Sequence, residues 1–371
     1  MPGLALTELS LSHFRSHKSA RILPDQRPLA FFGANGAGKT NILEAVSLLS
    51  PGRGIRRAGA DELSRLPERI GWKIAARLTS HGRQHEIETW AEPEQARQVR
   101  IDGKAATQTG LSRIARVIWL VPSMDRLWLE GADGRRRFLD RITLSFFPDH
   151  AEVTLSYEKA MRERNRLLKD GVNNPGWFRA LETRMAEAGA AIIGNRKFML
   201  IRLADAQSAA KTAFPTAVLS LETRTAEDCP ETAADLSTAL EQSRNRDMAA
   251  GRTLVGPHRS DLAAVYAAKE TPARLCSTGE QKALLISLIL ANARALAADF
   301  GAPPIILLDE VAAHLDPDRR AALYDEICAI GAQAWLTATD RGLFEGLSHR
   351  ARLFEVGEGQ DGSRIQELDW P

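Results

Sequence analysis

The sequence predicts an α/β fold: a mixed sheet with flanking helices, interrupted by an inserted helical lobe. Three observations predict it. A phosphate-binding loop stands near the start of the 371-residue chain, an apolar strand ending in two carboxylates stands near its end, and a long stretch of helical periodicity separates them.

The loop is Gly33-Ala34-Asn35-Gly36-Ala37-Gly38-Lys39-Thr40, which fits G-x-x-x-x-G-K-[ST] without mismatch. Leu29-Ala30-Phe31-Phe32 reads as a buried strand entering it, and Asn41-Ile42-Leu43-Glu44-Ala45-Val46 as the first turns of a helix leaving it. In that context the glycines let backbone N–H groups curl around an anion, and the helix N-terminus adds its positive end. Lys39 supplies a charge for the outer phosphates and Thr40 a hydroxyl for magnesium.

The first third is otherwise strand-rich. Residues 4–8 alternate, 70–78 and 85–90 read as antiparallel strands, and 99–102 with the Asp102-Gly103 turn reads as a hairpin. Ile118-Trp119-Leu120-Val121 is a further apolar strand, stopped by Pro122. From Arg135 to about Phe214 helical periodicity takes over, with Trp177, Leu181, Met185, Ala188 and Ile192 on one stripe. The break at 171–176 predicts two helices packed as an antiparallel pair. Strand–helix alternation resumes after Gly256-Pro257. The expected organisation is an N-terminal part of the nucleotide domain at 1–122, a helical lobe without a long coiled coil at 123–252, and the rest of the nucleotide domain at 253–371.

Ile305-Ile306-Leu307-Leu308-Asp309-Glu310 has the pattern of a central parallel strand that presents acids at its C-terminal edge. Asp309 is expected to hold the magnesium shell and Glu310 to orient or deprotonate the attacking water, so Lys39, Asp309 and Glu310 are the expected catalytic residues. Ser277-Thr278-Gly279-Glu280-Gln281 opens a helix that runs towards this strand. Ser277 and Glu280 make a capping box, and the hydroxyl, the bare glycine and the helix N-terminus together also suit an anion. Two phosphate-gripping helix ends starting from different sides of one sheet cannot share a γ-phosphate within one chain. Two chains arranged head to tail can.

A net charge of +2 does not by itself argue for nucleic acid, because such a footprint is local. Three widely spaced cysteines suggest neither a disulfide framework nor a zinc site. The apolar run at 283–291 is short for a bilayer and no secretory signal is apparent, so a cytoplasmic protein is expected.

The phosphate loop, the S-x-G-[QE] helix start, the acid-tipped strand and the Leu315-Asp316 turn together resemble the ABC-type ATPases, and among them the heads of the SMC/Rad50 group and the RecF family of bacterial recombination mediators. Ser12-His13-Phe14-Arg15-Ser16, Gly134-Arg135-Arg136-Arg137-Phe138-Leu139-Asp140, Tyr157 with Arg164-Asn165-Arg166, and Gly256-Pro257-His258-Arg259-Ser260-Asp261 support the RecF resemblance in family order. It implies an ABC-type head, ATP and Mg2+ as cofactors, Arg15 beside nucleotide, and Ser277, Gly279 and Glu280 gripping the partner's ATP. It further implies a slow, DNA-stimulated ATPase of recombinational repair, replication restart and the SOS response. The same resemblance implies an ATP-dependent homodimer that clamps double-stranded DNA near single-stranded gaps and works with RecR, RecO and RecA. Departures from the family pattern are Glu280 for glutamine, Glu310 for aspartate, Ala313-His314 for Ser-Glu, and Met124 for an acid beside Asp125. No switch histidine follows Thr337-Ala338-Thr339-Asp340.

Candidate DNA contacts are Arg135, Arg136 and Arg137, otherwise a solvated helix face, and His258 and Arg259, otherwise a tight turn. His13, Arg15, His17 and Lys18 form a second basic cluster. Two competing readings share the fold: the ATPase subunit of a membrane transporter, disfavoured by the long insertion and the missing histidine, and a nucleotide-dependent scaffold that binds proteins, disfavoured by the paired acids.

Overall fold

The computed structural model describes residues 3–172, 174–223 and 229–370. The chain packs as two units, the first made of Met1–Asp125, Ala206–Thr216 and Ser277–Pro371, the second of Arg126–Asp205 and Ala217–Cys276. Residues 253–276, which the sequence joins to the last segment, pack with the helical unit instead.

In the first unit the N-terminal segment supplies β1 (Ala5–Phe14), β2 (His17–Ile22), β3 (Leu29–Phe32), α1 (Lys39–Ser47), β4 (Trp72–Ser80), β5 (Arg83–Ala91), β6 (Gln98–Ile101), β7 (Lys104–Ala106) and β8 (Val117–Leu120). In the second unit follow α2 (Ala132–Phe146), α3 (His150–Lys169), α4 (Pro175–Ser208), β9 (Ala217–Glu222), α5 (Ala233–Gln242), α6 (Arg244–Ala250), β10 (Asp261–Tyr266) and β11 (Thr271–Pro272). The first unit is completed by α7 (Thr278–Phe300), β12 (Ile305–Asp309), α8 (Pro317–Ile330), β13 (Ala334–Ala338), β14 (Arg352–Gly359) and β15 (Gly362–Leu368).

One 12-stranded sheet runs through the first unit in the order β7-β6-β5-β4-β1-β2-β15-β14-β3-β13-β12-β8. The pairs joining β14, β3, β13, β12 and β8 are parallel and the remaining pairs antiparallel, which makes the expected mixed sheet. Its centre is apolar on both faces: Leu29, Phe31, Ile305, Leu307 and Trp335 are buried on one and Ala30, Ile306, Leu308 and Leu336 on the other, and the Phe31 ring stacks on Trp335 at 5.6 Å and on Phe354 at 5.0 Å. Asp102 and Gly103 both take positive φ, at 49° and 76°, as the two-residue β6–β7 hairpin requires.

Helix α7 is 23 residues long and extends well past the run read from the sequence. By length and composition alone it could cross a bilayer, yet 72% of its most apolar window is buried inside the protein, which marks it as a core helix.

The second unit carries helices and the three-stranded sheet β11-β10-β9. Tyr157 and Ala160 of α3, Met185, Ala188 and Ile192 of α4, Leu236 and Leu240 of α5, and Val255 form its core. The expected stripe on α4 holds from Leu181 onward, but Trp177 is 58% exposed and its neighbour Phe178 is buried in its place. The α3–α4 break falls where the sequence places it, with Asn173 outside the described residues.

Candidate nucleotide site

The phosphate loop joins β3 to α1, and its geometry explains its glycines. Gly33, Gly36 and Gly38 adopt φ of 149°, 85° and 106°, which side chains rarely tolerate. Space is equally restrictive: a Cβ on Gly33 would lie inside 3.0 Å of the Val356 carbonyl, and one on Gly38 inside 3.0 Å of the Ser16 and Ser363 hydroxyls. The loop is therefore clamped between the β1–β2 turn and the β14–β15 hairpin. Ser363 Oγ donates to Ser16 Oγ at 2.6 Å, Asn41 Nδ2 donates to the same oxygen at 2.7 Å, and His17 Nε2 meets Gly38 O at 3.2 Å. Burial pushes the His17 imidazole below its usual pKa.

Lys39 Nζ donates to Gly33 O at 2.8 Å and Ala34 O at 2.9 Å, so its ammonium lies across the mouth of the loop. Burial lowers its pKa, opposed by the charges of Glu310 and Asp309. Thr40 Oγ1 donates to Asp309 Oδ1 at 2.9 Å and Oδ2 at 3.1 Å, and Thr337 Oγ1 donates to Oδ1 at 2.7 Å. Glu310 has a left-handed φ of 53°, and its N–H donates to Thr337 Oγ1 at 3.0 Å. Its side chain has no hydrogen-bond or ion-pair partner among the described residues. No cluster of three or more metal-ligating side chains occurs among the described residues. One hydroxyl and one carboxylate at hydrogen-bond distance instead suit a cation completed by phosphate and water.

At the start of α7 the capping box is fully formed. Ser277 N and Oγ donate to Glu280 Oε2 at 2.8 and 2.9 Å, and Glu280 N approaches Ser277 Oγ at 3.4 Å. Ser277, Thr278 and Gly279 are nevertheless exposed, and a Cβ on Gly279 would meet nothing within 4 Å. Asp316 caps α8 through Arg319 N at 2.9 Å. Met124 packs against the hydrophobic core and Asp125 is held by Lys282 at 3.3 Å, so the loop after β8 is fixed by packing and one ion pair.

The basic cluster at residues 13–18 is not a free patch. Arg15 forms a bidentate pair with the buried carboxylate of Glu44 on α1 at 2.8 and 2.9 Å, Lys18 pairs with Asp361 at 2.9 Å, and His17 is buried. Arg15 is thereby fixed to the helix that carries Lys39 and Thr40. Of the proposed DNA contacts, Arg135 is committed to Asp261 at 2.7 Å and to the Leu127 carbonyl at 3.0 Å. Arg136 donates to Ser260 O at 2.9 Å and Arg137 pairs with Asp133. His258 has both ring nitrogens occupied, Nδ1 by the Tyr157 hydroxyl at 2.7 Å and Nε2 by Thr253 O at 3.1 Å, and burial pushes its pKa down to about 4. It is a neutral buttress of its turn. Only the Arg259 guanidinium, of these five side chains, has no hydrogen-bond or ion-pair partner among the described residues.

Sequence reasoning gave no role in the site to Ser16, Ser363 or Thr337. Gly38→Ala is expected to weaken ATP binding roughly ten- to hundredfold, since the backbone strain alone costs about 1–3 kcal/mol. Titration with a fluorescent ATP analogue checks it, and unchanged affinity would separate the loop from nucleotide.

The chain matches the RecF/RecN/SMC N terminal domain family over residues 5–361. It is 44% identical to the DNA replication and repair protein RecF of Rhizobium etli, covering 96% of this chain and 98% of the relative. Identity to the protein of the same name from Brucella suis is 46%, covering 96% of each. Among solved structures it resembles the recombination mediator protein RecF of the RecFOR pathway, bound to an ATP analogue (TM-score 0.84, 23% identity, 99% of this chain and 98% of the other) or to ATP (TM-score 0.82, 24% identity, 99% of each). The Smc head domain of Pyrococcus furiosus shares the fold at TM-score 0.58 and 17% identity over 99% of this chain and 96% of the other.

Proposed function

This chain belongs to the RecF/RecN/SMC family, with RecF proteins of DNA replication and repair among its relatives, and from that premise we propose that it is an ATP-gated DNA-binding ATPase of recombinational repair. ATP sits with its outer phosphates in the loop, where the Lys39 ammonium exchanges the Gly33 and Ala34 carbonyls for phosphate oxygens. Thr40 and Asp309 would hold Mg2+, which would supply positive charge beside the phosphates. Glu310 takes the proton of the attacking water, and the products are ADP and phosphate.

The observation that carries the dimeric reading is the helix start at Ser277. Its exposure, and the open space around Gly279, give the chain no internal use for a glycine there, whereas a triphosphate held by a second copy needs close approach to that backbone. ATP thus joins two protomers, and loss of the γ-phosphate separates them. In this reading the dimer clamps double-stranded DNA near single-stranded gaps, turnover is slow and DNA-stimulated, and RecR, RecO and RecA are the functional partners.

Ser277→Arg tests the reading. It is expected to leave nucleotide binding by the single chain intact and to abolish ATP-induced dimerisation, read by light scattering with a non-hydrolysable analogue. A dimer that persists in this variant would refute the shared site.

A further inference from the structure

A cleft of about 390 Å³ opens within the second unit, and the charge balance of the side chains lining it is uneven. Arg136, Arg137, Arg196, Arg252 and Arg259 line it, against Asp133, Asp140 and Glu158. Every carboxylate there is engaged. Asp140 takes Arg196 at 2.7 and 2.8 Å and His150 at 3.0 Å; although burial works to raise its pKa, these partners hold it down to about 2. Asp133 pairs with Arg137, and Glu158 with Arg162 at 3.7 Å. Arg196 is saturated, since it also donates to Pro257 O at 2.8 Å and Ser260 Oγ at 3.0 Å.

Two cations remain over. The guanidiniums of Arg252 and Arg259 have no ion-pair or hydrogen-bond partner among the described residues. Thr154 Oγ1, a shielded hydroxyl without a partner, lines the same cleft. The Arg136 guanidinium is held below its ordinary pKa by burial first and then by the charge of Arg196, with Asp261 and Asp140 opposing and Arg259 adding a smaller push in the same direction as Arg196. A concave site with surplus guanidinium matches the oxygens of a phosphate ester, to which arginine can donate in pairs.

We propose that this cleft is a phosphate-binding site for the nucleic-acid backbone, in which Arg252 and Arg259 contact the phosphodiester while Arg196, Asp140 and His258 hold the walls. The assignment rests on the DNA-binding function proposed above and gives it a location. Contacts of this kind set affinity and register without reading bases.

Arg252→Ala combined with Arg259→Ala is expected to weaken duplex DNA binding roughly tenfold or more at low salt, equally for unrelated sequences, and to flatten the slope of log affinity against log salt by about 2. Lysines at both positions keep the charge and should restore most of the slope. Arg166→Ala, which removes an exposed cation outside the cleft, serves as the control and should change little. Wild-type affinity and slope in the double alanine variant would overturn the cleft assignment, whereas failure of the wild-type protein to bind duplex at all would sink the underlying DNA-binding reading. Titration with inorganic phosphate separates the remaining source. Phosphate bound through the two arginines, with DNA binding unaffected by their loss, would reassign the cleft to a free anion and overturn the proposal.

Discussion

Glu310→Gln is expected to lower ATP turnover by about 10²–10⁴-fold, the usual contribution of a positioned general base, and to leave ATP binding and ATP-induced dimerisation intact. The expectation comes from how the residue is held. Strand β12 ends at Asp309, the left-handed turn at Glu310 redirects the chain, and the N–H of Glu310 is anchored on the Thr337 hydroxyl, which also donates to Asp309. Asp309, proposed to hold the metal, and Glu310, proposed to activate water, are thus both tied to one threonine on the adjacent strand β13. Glutamine matches glutamate in size and keeps that backbone anchor, but its amide cannot accept the proton of water. Phosphate release followed alongside sedimentation should show a long-lived, nearly inactive dimer. Turnover at the wild-type rate would remove Glu310 from the catalytic role.

Arg164→Met is expected to destabilise the second unit by about 3–5 kcal/mol, as removal of one member of a buried ion pair does elsewhere. Arg164 is fully buried and spends its guanidinium on three helices and the segment after α6: Glu182 on α4 at 3.1 Å, Asp247 on α6 at 2.6 Å, Leu240 O on α5 at 2.9 Å and Thr253 Oγ1 at 2.9 Å. Arg244 shares Glu182 at 2.9 Å, so two cations face two carboxylates. Methionine retains the apolar stem but strands Asp247 in the core without its counter-charge. A lower urea midpoint is the check; a midpoint equal to the wild type would mean the network contributes no stability.

Much of the nucleotide site was legible because its chemistry is local. Residues 29–46 carry strand, loop and helix within one short segment, and the apolar run before Asp309 can only be a buried strand. The capping box at Ser277 and Glu280 was equally readable, and its exposure was consistent with both uses of the motif. What escaped depends on distance along the chain. Gly38 is tight because Ser16 and Ser363 press on it, and no periodicity links those positions. Strand β2, His-Lys-Ser-Ala-Arg-Ile, is too polar to announce itself and exists because β1 and β15 pair with it. The three arginines at 135–137 illustrate the converse. As a run they suggest a binding face, yet Arg135 is consumed by Asp261, 126 positions away. The pair of unmatched cations at Arg252 and Arg259 becomes visible only once every carboxylate has been assigned.

The placement of β3 has a consequence for biosynthesis. Both of its sheet neighbours, β13 and β14, come from the far end of the polypeptide, and β14 with β15 forms the hairpin that presses on the loop. As the nascent chain leaves the ribosome, the loop sequence is therefore present long before anything exists to shape it. A translation product arrested within α8 exposes an unpaired apolar strand where the finished protein has a nucleotide pocket, and such a fragment falls to chaperones and proteases rather than competing for ATP.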